Sequence, residues 1–107
     1  MTIILPIFVS RNKERDMDRV KVMNGICRMI EKRYIGTFVP FGGIDLSKDG
    51  DYLILKVRDM KERNMPYCAK RIFEKHPEIR TVHFTGGWME HVYTRKTLKW
   101  AGFKIAN

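Results

Sequence analysis

Apolar residues in this chain fall into short blocks separated by polar, glycine- and proline-containing stretches, and the spacing inside each block predicts an element. Residues 2–9, TIILPIFV, form a β-branched apolar run that predicts a strand buried on both faces, with Pro6 marking an edge position or a bulge. From residue 17 to 35, Val20, Met23, Ile26, Cys27, Ile30 and Tyr34 recur at helical spacing, while Arg19, Arg28, Glu31 and Lys32 take the other face. Gly36 follows as a cap. Residues 37–46 predict a second strand bent around Gly42 and Gly43, and after the turn SKDGD the run YLILKV predicts a third strand, paired with it as an antiparallel hairpin. Asn64 and Pro66 open a second helix that His76 and Pro77 close. Residues 79–84 predict a fourth strand, Gly86 and Gly87 a turn, residues 88–101 a third helix capped by Gly102, and residues 103–105 a short last strand.

The predicted order is β-α-β-β-α-β-α-β, without repeats or linkers. That order describes an α+β fold, a mostly antiparallel sheet with helices packed on it. Taken alone, the first six elements also fit a ferredoxin-like sandwich with a C-terminal helix added. At 107 residues the chain is one domain with one modest core, and its hydrophobic fraction of 44% places it among folded rather than disordered sequences.

Charge adds a bias toward partners. Lys and Arg number 21 against 12 Asp and Glu, a formal net charge of +9, so the surface attracts phosphate-bearing ligands such as nucleotides, coenzyme A or nucleic acid. The basic residues are spread over several runs, and each run by itself fits a solvated helix face or loop. Cys27 and Cys68 stand alone within predicted helices, which fits two packed thiols in a reducing compartment. The N-terminal apolar run is too short for a membrane span and lacks the flanks of a signal peptide, so no membrane association is expected.

The second half, from Tyr52 to Ile105, resembles the GNAT acyltransferase superfamily. The resemblance is carried by a strand YLILKV, a loop with an arginine, a helix PYCAKRIFEKHP, a strand IRTVHF, and the closing YTRKTLKWAGFKI with its terminal Gly-Phe-Lys. Small phage GNAT-like proteins are similar in the last third. The resemblance implies an acyl-coenzyme A site in a gap between two central strands, with acetyl-coenzyme A as cofactor and an amine as acceptor. It places the pyrophosphate at Arg63 and at the backbone of Met65, Tyr67, Cys68 and Ala69, where the family has an Arg-x-x-Gly-x-Gly loop. Here Pro66 and Cys68 occupy the glycine positions. The family's helix tyrosine corresponds to Leu98, and Glu90, His91 and Tyr93 are the remaining candidates for acid–base chemistry. These departures imply a reused fold with weak or absent catalysis, expected in the cytoplasm, or in the host cytoplasm or virion if phage-encoded.

Two other functions fit the residues. A phage-type S-adenosylmethionine-degrading protein of ferredoxin-like fold would use Gly42, Gly43 and Asp45 to line a cleft, though a bulge and a turn also explain them. A basic nucleic-acid-binding or virion-associated module would use Tyr93, Arg95, Lys96, Lys99 and Trp100, with the aromatics stacking on bases; it requires Trp100 to be exposed. His76, His83 and His91 have no ligand spacing, so no metal site is expected.

Overall fold

A computed structural model describes residues 4–86 and 89–106, with side chains described from residue 18 onward apart from residues 87, 88 and 107. The elements are α1 (Ile4–Arg33), β1 (Ile44–Leu46), β2 (Tyr52–Lys56), a 3-10 turn (Glu62–Asn64), α2 (Met65–Lys75), β3 (Thr81–Gly86), β4 (Met89–Thr94) and α3 (Arg95–Trp100). The fold is α+β. Its four-stranded sheet is mixed, in the order β1-β2-β3-β4, with antiparallel pairs at both sides and a parallel pair, β2 with β3, at the centre.

The parallel pair follows from α2. A helix that crosses over between two neighbouring strands returns the chain in the direction it left, whereas the turn after β1 reverses it. β2 and β3 run in register from Tyr52 opposite Thr81 to Lys56 opposite Thr85. Their closeness persists beyond the ladder, since a Cβ on Gly86 would stand 3.3 Å from the Val57 carbonyl oxygen.

Side chains alternate across β2, with Leu53 and Leu55 buried and Tyr52, Ile54 and Lys56 exposed. The buried side meets Met65, Cys68, Ala69, Ile72 and Phe73 of α2, which recur at i, i+3 and i+4, and Ile26 and Ile30 of α1. Among the described residues the other sheet face is open. It carries Asp45 from β1, Tyr52, Ile54 and Lys56 from β2, Thr81, His83 and Thr85 from β3, and Glu90 and Val92 from β4.

Four sequence expectations are corrected. Of residues 37–46, expected as one bent strand, only Ile44–Leu46 is strand, because the Gly43 amide turns back to the Pro40 carbonyl. Residues 4–9, expected as a strand, are the start of α1, with Pro6 in its first turn where proline is tolerated. A short apolar run fits either state, and continuity with the periodic segment that follows decided for helix. Residues 89–94, expected as helix, form β4 and alternate between half-buried Met89, His91 and Tyr93 and exposed Glu90 and Val92. The helix starts only at Arg95, where Thr94 and Thr97 form a reciprocal capping box. Residues 103–105 form no strand, and Phe103 instead packs edge-on against Tyr67 with ring centroids 5.0 Å apart. Of the turn expected at Gly86 and Gly87, Gly86 is instead the last residue of β3, while Gly87 lies outside the described residues, as does Trp88, where the helix was expected to begin.

Arg95 locks α3 to the sheet's lower end. Its guanidinium donates to the carbonyls of Ile79, Phe73 and Pro77 at 2.8, 3.1 and 3.0 Å, and lies 4.9 Å from the centroid of the Phe73 ring. A cation is favourable there because Phe73 lies near the carbonyl end of α2.

Candidate functional site

The feature that organises the upper end of the sheet is the loop between α1 and β1. Gly42 adopts a left-handed conformation (φ 76°), and the Gly43 amide donates to the Pro40 carbonyl at 2.8 Å. A Cβ on Gly43 would lie 2.8 Å from both the Lys56 and Pro40 carbonyl oxygens, so only glycine lets the loop close against β2. This tight closure leaves Phe41 at the loop tip with its ring wholly in solvent.

Beyond the strand proper, Phe38 and Arg58 exchange two backbone hydrogen bonds, at 3.2 and 2.9 Å. Residues paired in this way project their side chains to the same side of the ladder. Lys56 shares that side with Arg58, since buried Val57 lies between them. Phe38, Lys56 and Arg58 therefore share one side at the rim of the open face, and Phe41 stands three residues beyond Phe38 in the same loop. Asp59 then turns the chain away in a left-handed conformation (φ 64°), and its carbonyl accepts from the Thr37 hydroxyl at 3.0 Å.

Lys56, Arg58 and Asp59, with Thr85, Gly86 and Met89 opposite, line a cavity of about 390 Å³ at the carboxyl ends of β2 and β3. Crevices at the carboxyl ends of parallel strands are where ligands settle in open sheets. The charge balance there is positive. Lys56 and Arg58 face a single carboxylate there, Asp59, and neither enters an ion pair within 4.0 Å among the described residues.

The residues expected to cradle a pyrophosphate are arranged differently. Arg63 is exposed, but Met65, Cys68 and Ala69 are buried in the core and Tyr67 packs on Phe103. The Met65 amide donates to the Glu62 carbonyl and Pro66 has no amide proton, so the first two positions of α2 offer no backbone donor to a ligand. Burial pushes the Cys68 thiol up to about 12, which keeps it protonated and unreactive.

The three acid–base candidates divide between the two sheet faces. Glu90 lies on the open face with a carboxylate oxygen 3.7 Å from His83 Nε2. His91 and Tyr93 lie on the other, their rings stacked with centroids 6.3 Å apart. Burial, with the nearby Glu62 carboxylate adding to it, raises the Tyr93 hydroxyl above its ordinary range. Tyr93 and Arg63 are brought together in one shallow depression with Lys61 and Pro66.

Of the residues expected to contact nucleic acid, Trp100 is exposed, with the Lys96 ammonium 5.1 Å from its ring centroid. Arg95 is committed to three carbonyls and Tyr93 is half-buried. Sequence reasoning missed Phe38, Phe41, Lys56 and Arg58. Two phenylalanines in a proline- and glycine-containing segment were the available signal, because such a segment seldom buries its apolar residues inside a regular strand.

Among the described residues no group of three or more His, Cys, Asp and Glu is placed to hold a metal ion, and no helix is long and apolar enough to cross a membrane. The chain matches no family model, no curated protein sequence and no solved structure.

The loop closure makes a direct prediction. Gly43→Ala forces the Lys56 or Pro40 carbonyl to move and shifts both Phe41 and the β2 rim. A stability loss of about 1–3 kcal/mol in urea unfolding is expected, as for overpacking of a close contact. Gly25→Ala, where nothing lies within 4 Å of the new methyl and the residue is helical, is expected to stabilise by about 0.5–1 kcal/mol.

Proposed function

We propose that this protein binds single-stranded nucleic acid at the rim of its open sheet face, with phosphates held by Lys56 and Arg58 and bases stacked on Phe41 and Phe38. The observation that carries the proposal is the placement of Phe38, Lys56 and Arg58 on one side of the ladder, with a wholly exposed Phe41 in the same loop as Phe38. Unpaired cations supply the sequence-independent attraction to phosphate, and aromatic rings supply stacking that any base can use. The two are needed together, since a basic surface alone attracts any polyanion. An extended single strand presents its base faces to such rings, whereas in a duplex they are covered. The net charge of +9 adds long-range attraction.

Fluorescence anisotropy with a labelled oligothymidylate tests this. Binding is expected to weaken steeply between low and physiological salt. Phe41→Ala is expected to weaken it about tenfold, as loss of one stacking partner does, while the salt slope stays at the wild-type value. Wild-type affinity in Phe41→Ala, or affinity insensitive to salt, would remove the proposal.

A second reading is favoured by a separate observation. The parallel β2-α2-β3 unit spans the region where the acyltransferase resemblance expects its central strands, and Arg63 and Tyr93 share one depression beside α2. On this reading the ligand is the pyrophosphate-bearing acetyl-coenzyme A, held by Lys61 and Arg63 side chains in place of backbone amides, as a binding rather than a catalytic fold. A thermal shift with acetyl-coenzyme A that persists in salt and disappears in Arg63→Ala supports it; the absence of any shift leaves nucleic acid as the ligand.

A further inference from the structure

The centre of the open face holds a histidine in an unusual setting. His83 Nδ1 lies 3.1 Å from the Tyr52 hydroxyl, while Nε2 is buried, has no hydrogen-bond partner and lies 3.7 Å from a Glu90 carboxylate oxygen. We infer that His83 is a pH-sensing residue of the nucleic-acid face, which binds more tightly as its imidazole takes up a proton. The inference rests on the nucleic-acid reading.

The neighbouring charges set the direction. From β2, Tyr52 bonds to the ring and Lys56 lies one position further along the same face; from β1, Asp45 lies across Ile54; from β4, Glu90 approaches Nε2 and Val92 stands opposite. The neighbours on β3 itself, Thr81 and Thr85, carry no charge. With His83 neutral, Glu90 and Asp45 place negative charge in the middle of the face, which repels a phosphate chain approaching Lys56 and Arg58. Protonation gives the ring two N–H donors. Nδ1–H then donates to the Tyr52 oxygen, and the positive ring, with Nε2 3.7 Å from the Glu90 carboxylate, offsets that carboxylate's charge.

Linkage fixes the sign. The charged imidazole favours bound phosphate, so bound phosphate favours the charged imidazole, and complex formation takes up a proton. Affinity is therefore higher at acid than at alkaline pH. His76 and His91 pair with Glu78 and Glu62, and neither lies on the open face.

The test is calorimetric titration with an unlabelled oligothymidylate of about twelve nucleotides, at about pH 5.5 and about pH 8. Thymine does not ionise between these values. Wild-type protein is expected to bind about three- to tenfold more tightly at the lower pH, the scale of one further neutralised charge. His83→Gln is expected to bind with one affinity at both, and His91→Gln to keep the wild-type profile. His83→Arg, carrying a fixed charge, supplies a second variant and is expected to bind tightly at both. Full pH dependence in His83→Gln, or equal wild-type affinity at the two values, overturns the inference and leaves salt-sensitive binding, and with it the functional reading, intact. No binding at either pH overturns both.

Discussion

Phe73→Ala is expected to cost about 4 kcal/mol, within the range of about 3–5 kcal/mol seen when a buried aromatic is truncated to alanine. The ring is wholly buried on α2, and its face carries the Arg95 guanidinium at 4.9 Å. Truncation therefore leaves a cavity in the middle of the core and removes the surface on which Arg95 rests. Arg95 also donates to the Phe73, Pro77 and Ile79 carbonyls, so a disturbed guanidinium loosens the junction of α2, β3 and α3 together. A domain of this size has about 5–15 kcal/mol of stability in all, and a loss on this scale lowers the melting temperature by about 15–25 °C. Ile35→Ala is the comparison: Ile35 is almost wholly exposed, and its replacement is expected to change stability by less than about 0.5 kcal/mol. Calorimetric or urea unfolding measures both. A loss below about 1 kcal/mol for Phe73→Ala would mean that this ring does not sit in the core.

The same residue marks what the sequence made legible. Met65, Cys68, Ala69, Ile72 and Phe73 repeat at helical spacing between Pro66 near the start and His76-Pro77 at the end, and α2 occupies Met65–Lys75. Strong periodicity bounded by proline leaves few alternatives. β2 was legible from an apolar run after the SKDGD turn, although the three successive apolar residues Leu53, Ile54 and Leu55 hide its alternation of burial. The segments that were misread offered two periods at once. Met89, Tyr93 and Trp100 lie on a helical stripe, but Met89, His91 and Tyr93 lie equally on one side of a strand, and pairing with β3 decided between them. That decision depends on residues far away in sequence.

The candidate site was less legible than the fold because its signal was spread over two elements. Arg63 stood out as an arginine before a helix, but Lys56 and Arg58 look like the polar side of an ordinary strand until Phe38 is paired against Arg58. The sequence predicts one bent strand over residues 37–46, which would bury Phe38 or Phe41. Past the bond from the Lys56 amide to the Gly43 carbonyl, the Gly43 amide turns back to the Pro40 carbonyl and the ladder stops, to be met again at the isolated bridge of Phe38 with Arg58. Exposure of Phe41 is a consequence of that closure, and no periodicity in the sequence encodes it.

The rim cations make the second large prediction. Lys56→Glu with Arg58→Glu is expected to weaken oligothymidylate binding by about a hundredfold or more at low salt, since two charge-assisted contacts of at least about 1.5 kcal/mol each are lost and replaced by repulsion. The salt dependence should fall as well. Each phosphate neutralised on a single strand contributes about 0.7 to the slope of log affinity against log salt, so losing two lowers it by about 1.4. Both side chains are exposed and unpaired, so unfolding in urea should move by less than about 1 kcal/mol. The decisive comparison is a double variant of the same charge change elsewhere, Lys48→Glu with Lys75→Glu. Lys48 lies in the turn before β2, at the far end of that strand, and Lys75 ends α2. If the protein attracts nucleic acid through net charge alone, the two double variants must weaken binding equally, because they reduce the same +9 by the same amount. If phosphates are held at the rim, only the Lys56 and Arg58 pair produces the hundredfold loss, and the Lys48 and Lys75 pair changes affinity by the few-fold expected of screened, distant charge.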